Sequence, residues 1–235
     1  MKTETNLETG GVNMARRSFL RYAGAGAAAV AVLGASSCRK SDYYPPTDTS
    51  TLPHIDIGTG DIGILNYAYA LEQLEAAFYL QVIATPYSGM SSIETSYLTD
   101  IRDHEVLHRD FFKAAIGSAA IGTLTTDFSS INFSDRTSVL TAAKLLEDTG
   151  VTAYDGAGYL IQSADYLTIA GKIVSVEARH AALISNLLKA GSFADTDQID
   201  QNGLNKSATI AEVLAGANGF LKTKVYATNF NYPKV

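Results

Sequence analysis

Leu71-Glu72 is followed seven residues on by Tyr79, and Leu146-Glu147 is followed seven residues on by Tyr154. Each pair precedes a Glu-x-x-His: Glu105 with His108 after the first, Glu177 with His180 after the second. The separations are 33 residues from Glu72 to Glu105 and 30 from Glu147 to Glu177, so the two copies run nearly in register. Carboxylate and imidazole are donors that suit iron and manganese alike. The chemistry these residue types point to is therefore metal binding, written twice.

Helical geometry explains the spacings. Seven residues turn a helix through about 700°, which leaves Glu and Tyr on one face two turns apart. Glu-x-x-His places carboxylate and imidazole one turn apart on a shared face. The pattern predicts an inward-facing set of Glu72, Glu105, His108, Glu147, Glu177 and His180. One Glu from each of two helices plus Glu-x-x-His from each of two others is the ligand set of di-iron and di-manganese carboxylate bundles. Four carboxylates carry −4, which two divalent ions cancel, and uncompensated burial of those charges would be very costly. In a metal-free core, repulsion and burial are expected to raise all four carboxyl pKa values. After residue 37 there are seven Glu and four His, so chance placement gives about 0.14 Glu-x-x-His spacings. Two of them, each behind a Leu-Glu-x6-Tyr, are not a chance pattern.

Several neighbours need weighing. Glu75 lies 60° round from Glu72 and reads equally as ligand, as support for a ligand or as surface; the repeat favours Glu72. His104 points about 100° away from Glu105 and reads as a helix-surface histidine. Tyr79 and Tyr154 read as redox-active phenols, as donors that orient carboxylates, or as bundle packing. Gly150 and Gly156 each cost a helix about 1 kcal/mol relative to Ala, which implies close backbone approach. His54 reads as solvated.

The elements that must carry these residues are all helical. A first helix is expected from Asp61, as N-cap, to before Pro86. A second starts at the capping box Ser91-Ser92-Ile93-Glu94 and stops at Gly117. Residues 118–133 lack helical periodicity and fit one long crossover between two helix pairs. A third helix follows Ser134, a fourth covers about Ala164 to Ala190, and a short fifth covers Lys206-Ser207 to Leu221. The expected fold is an all-α four-helix bundle with a short C-terminal fifth helix, occupying residues 61–235.

Residues 1–38 read as an address. Ala15-Arg16-Arg17-Ser18-Phe19-Leu20-Arg21 approaches the twin-arginine export consensus, making the translocase an expected partner. The apolar run from Tyr22 to Leu33 is 12 residues, too short to span a bilayer. Cys38 is the sole cysteine. It follows an imperfect lipobox, Ala35-Ser36-Ser37, so lipidation at Cys38 is favoured over ordinary cleavage nearby, and the membrane is expected only through that anchor. Residues 39–60, with Tyr-Tyr-Pro-Pro, read as a flexible tether. Of 18 Lys/Arg and 24 Asp/Glu, the first 37 residues hold four and two, leaving a balance of −8. That argues against nucleic acid as a partner. The expected location is extracytoplasmic.

The stretches Ala70–Tyr79, Leu146–Ala157 and Val176–Ala181 resemble the first-, third- and fourth-helix motifs of the ferritin-like superfamily. Within it they are most similar to exported ferritin-like domain proteins, the desiccation-related group. The resemblance runs from about Asp61 to the end and includes Glu212-Val-Leu-Ala. It implies two divalent ions, iron or manganese, and redox chemistry on O2 or peroxide of ferroxidase, peroxidase or catalase type. Folded export favours manganese, taken up in the cytoplasm. The other reading is a non-catalytic metal-holding or structural protein of the envelope. Paired Cys-x-x-Cys motifs are missing, so this is not a complete rubrerythrin. Homo-oligomerisation stays open, and a lipid tether would make a closed cage awkward.

Overall fold

Helix boundaries follow local side-chain chemistry along most of the chain. The computed structural model describes residues 53–232; the export signal, Cys38 and most of the expected tether lie outside the described residues. The elements in order are β1 (His54–Asp56), α1 (Gly60–Ala84), α2 (Ser92–Ile116), α3 (Arg136–Ala157), α4 (Ala164–Leu188), α5 (Ile210–Ala217) and β2 (Lys224–Tyr226). Among the described residues no helix is long and apolar enough to cross a membrane.

The start of α2 is the expected capping box. Ser91 Oγ accepts from the Glu94 N–H, and Glu94 Oε2 accepts from the Ser91 N–H at 3.0 Å. Gly117 closes the helix with φ 64°, a conformation glycine adopts without strain. The start of α1 differs from expectation. Thr59, not Asp61, is the N-cap. Asp61 sits in the first turn, and its carboxylate accepts from the backbone N–H groups of Gln162 and Ser163 at 2.7 and 2.8 Å. Ser163 is itself the N-cap of α4. A residue suited to cap its own helix thus ties the starts of two helices together.

Helix α1 is buried on nearly every side from Gly63 to Tyr79, as expected of a helix at the centre of a bundle. It packs against both α2 and α3, and α3 pairs with α4. The crossover runs along α1, pinned by two amides. Asn66 donates to the Ala119 carbonyl and accepts from the Ile121 N–H; Gln73 donates to Gly122 and accepts from Leu124. Phe128 then packs edge-on against Phe78, and the Ser88 N–H meets the Ser134 carbonyl at the far end. These bonds satisfy the backbone of a segment with no ladder of its own.

Two segments depart from the sequence expectation. The tether was expected to continue to residue 60, yet β1 pairs in parallel with β2, His54 opposite Lys224, and Ile57 is buried. Alternating apolar residues were too few here to announce a strand. The fifth helix begins at Ile210 rather than near Lys206 and is capped by a Thr209–Glu212 box. The chain ahead of it crosses α3, where the Ala208 N–H donates to the Thr152 carbonyl. A Cβ on Gly156 would come within 1.8 Å of the Ala208 oxygen, which accounts for that glycine.

Candidate metal centre

The six residues of the doubled pattern converge. Glu72 comes from α1, Glu105 and His108 from α2, Glu147 from α3, and Glu177 and His180 from α4. The four carboxylates are at most 1% exposed and His180 is 4% exposed. Donor atoms fall into two overlapping groups that could each hold an ion: Glu72, Glu105, His108 and Glu177, and Glu105, Glu147, Glu177 and His180.

Geometry sorts the carboxylates into two kinds. His108 Nδ1 lies 3.5 Å from Glu72 Oε2, 3.9 Å from Glu105 Oε2 and 2.7 Å from Glu177 Oε1. His180 Nδ1 lies 2.8 Å from Glu105 Oε1, 3.6 Å from Glu147 Oε2 and 3.3 Å from Glu177 Oε2. Glu105 and Glu177 therefore turn one oxygen toward each group. Glu72 and Glu147 turn one oxygen inward and spend the other on a phenol: Tyr154 donates to Glu72 Oε1, and Tyr79 to Glu147 Oε1, each at 2.5 Å. Apart from these close approaches to one another, the six inward oxygens and both Nδ1 atoms are buried with no hydrogen-bond partner. Polar atoms are rarely left this way in a core, and eight of them facing one another fit a cation-binding centre.

The electrostatics agree. Burial first, then the neighbouring Glu177 charge, raises the Glu72 and Glu105 carboxyls, and burial raises Glu147. Glu177 departs from the expectation of four raised carboxyls. Although burial pushes it up, its contacts with His108 and His180 hold it below the usual carboxylate value. Against the effect of burial, those carboxylates lift His108 to about 10 and His180 to about 12. Without metal, protons on the imidazoles and carboxyls supply the missing positive charge. Tyr79 and Tyr154 are pushed up by burial and by the carboxylates they serve. They stay protonated, and their hydrogen bonds to Glu147 and Glu72 fit the reading as donors that orient the carboxylates.

Three residues weighed in the sequence find their neighbours only in the structure. Glu75, left open there, is a fifth buried acid, 3% exposed, raised well above its usual value by burial and then by Glu105 and Glu177. It stands outside both donor groups. Gly150 makes room for it, since a Cβ there would lie 2.9 Å from Glu75 Oε1. His104, read as a helix-surface histidine, is exposed but also meets His180 edge to edge, with rings 10° from parallel and its Nδ1 2.9 Å from His180 Nε2. The signal for it was available: His104 is four residues before His108 and so shares its face.

A bundle whose helices present carboxylates and imidazoles to one buried centre defines a class of metal-binding helical proteins. The ferritin-like domain family matches residues 60–190, more than half of the chain, and the chain belongs to that family. A search of curated proteins gives no significant match.

Proposed function

We propose that this chain is an exported di-metal carboxylate protein that holds two divalent ions, iron or manganese, and acts on O2 or peroxide. The observation that carries the reading is the shared donor set: each group has three oxygens and one nitrogen, and Glu105 and Glu177 belong to both. Four carboxylates and two neutral imidazoles would balance two divalent ions, replacing the protons that neutralise the metal-free centre. A pair of such ions supplies Lewis-acid and redox chemistry for small oxygen species.

The chain's own residues set the conditions for that chemistry. The phenols of Tyr79 and Tyr154 fix one oxygen of Glu147 and Glu72 and aim the other inward. Tyr154 also lines an apolar cleft with Tyr67, Leu71, Phe112 and Ala157. A small neutral molecule in that cleft would stand one side chain away from Glu72. Export rests on Arg16 and Arg17, and anchoring on Cys38. An extracytoplasmic, desiccation-related role follows from the resemblance of the helix motifs.

The test is metal content of protein purified from its own compartment, with O2 and peroxide turnover measured on the same sample. Two ions per chain with turnover supports the proposal. Metal without turnover assigns the non-catalytic holding role, and a metal-free native protein rejects both. Replacing Arg16 and Arg17 together by Lys should strand the precursor in the cytoplasm, and Cys38→Ser should release the protein from the membrane fraction.

A further inference from the structure

Within the buried centre the two imidazoles are not equivalent. Both turn Nδ1 inward, but His180 has a partner for its outer nitrogen. His180 Nε2 lies 2.9 Å from Nδ1 of His104, an exposed residue on α2, and the two rings lie edge to edge and nearly coplanar, with centroids 5.1 Å apart. One proton must sit between these nitrogens, and its position decides what His180 can do. If His104 Nδ1 carries it, a neutral His180 has its own proton on Nδ1, aimed at Glu105, and no lone pair for a cation. If His180 Nε2 carries it, Nδ1 of the neutral ring is a free donor toward Glu105, Glu147 and Glu177.

We propose that His104 is a positioning residue that accepts the Nε2–H of His180 and so holds His180 in the tautomer that ligates through Nδ1. This rests on the metal reading above. His104 suits the role because its Nδ1 stands within hydrogen-bonding distance of His180 Nε2, while its exposed ring can carry its own proton on Nε2. Partners that orient a ligating imidazole are commonly worth ten- to hundredfold in metal affinity. The effect should fall on one ion alone, because His180 belongs to one of the two donor groups.

The experiment is calorimetric titration of the metal-free full chain with manganese(II), using His104→Phe and His104→Asn. Phe keeps an aromatic ring beside His180 and loses the acceptor; Asn loses the ring and keeps an acceptor where Nδ1 was. Thermal melting of the metal-free variants checks that they fold. Wild type should bind two ions. His104→Phe should bind one as wild type does and the other ten- to hundredfold more weakly, and His104→Asn should restore it. Two undiminished sites in His104→Phe would overturn the role of His104. So would the reverse order, Phe spared and Asn weak, which is the outcome of ring packing alone. A wild-type chain that binds neither manganese nor iron overturns the metal reading itself, a result separate from the other two.

Discussion

Tyr79 on α1 donates its hydroxyl to Glu147 on α3, at 2.5 Å, and not to Glu72 seven residues back on its own helix. Tyr154 returns the bond from α3 to Glu72. The repeat is completed across the bundle, each copy supplying the phenol that orients the other copy's carboxylate.

This crossing predicts crossed effects. Tyr79→Phe should weaken the ion held with Glu147 and His180, and Tyr154→Phe the ion held with Glu72 and His108, each by ten- to hundredfold. The metal-free proteins should lose roughly 1–3 kcal/mol, the cost of an unsatisfied buried acceptor. Stepwise metal titration of both variants distinguishes this from the uncrossed pattern.

Shared and unshared ligands should separate cleanly. Glu105→Ala or Glu177→Ala removes oxygens from both groups and should abolish binding of both ions. Glu72→Ala or Glu147→Ala should leave one ion in place. Metal analysis after gel filtration gives the count directly. Retention of two ions by Glu105→Ala would contradict the shared geometry.

The metal-free protein should lose stability as pH rises above neutral. His108 and His180 stand at about 10 and about 12 when folded, against about 6.5 for a free imidazole. A raised folded pKa contributes stability that is fully present below about 6.5 and is lost as pH climbs toward those values. The raised Glu72, Glu105 and Glu147 have the same sign, their contribution lost as pH rises through their folded values. Glu177, lowered, contributes the opposite way: its share is present above the usual carboxylate value and lost on acidification. Bound ions take the place of the protons, so affinity should increase with pH. At a thousandfold excess over Kd the ions add about 4 kcal/mol. Melting curves of chelated and manganese- or iron-saturated protein between pH 6 and 9 should therefore diverge as pH rises, on the order of the free-imidazole window and above.

Glu94 offers a control outside the centre. It closes the α2 capping box and accepts from Arg136 Nε at 2.7 Å, while Arg136 also donates to the Leu187 carbonyl. Burial acts to raise its carboxyl, yet the Ser91 and Arg136 bonds hold it at about 2. Glu94→Ala should cost about 1–3 kcal/mol and leave the number of bound ions unchanged. Chemical denaturation and metal analysis of one preparation test both halves.

Two glycines of α3 should respond differently to alanine. At Gly156 the new Cβ meets the backbone oxygen of Ala208, which cannot swing away. The overpacking penalty, roughly 1–3 kcal/mol or more, should exceed the helix gain of about 1 kcal/mol. At Gly150 the obstacle is the far end of the Glu75 side chain. Gly150→Ala should fold and instead displace that carboxylate. Melting temperatures, with a crystal structure of Gly150→Ala, decide the pair.

The sequence by itself determined the helices and the donor set. Capping and helix-stop residues such as Ser91, Glu94 and Gly117 act locally, so their effects are written in consecutive residues. The doubled Glu and Glu-x-x-His spacings are likewise local, because one helical turn fixes which residues share a face. The tertiary structure decided what depends on which helix faces which. It sent Tyr79 to Glu147, turned Asp61 from a cap into a tie between α1 and α4, and brought His104 against His180 from a helix 76 residues away. It also placed Ala208 over Gly156 and Glu75 over Gly150. These contacts join residues far apart in sequence, and helical periodicity defines a face without naming its partner.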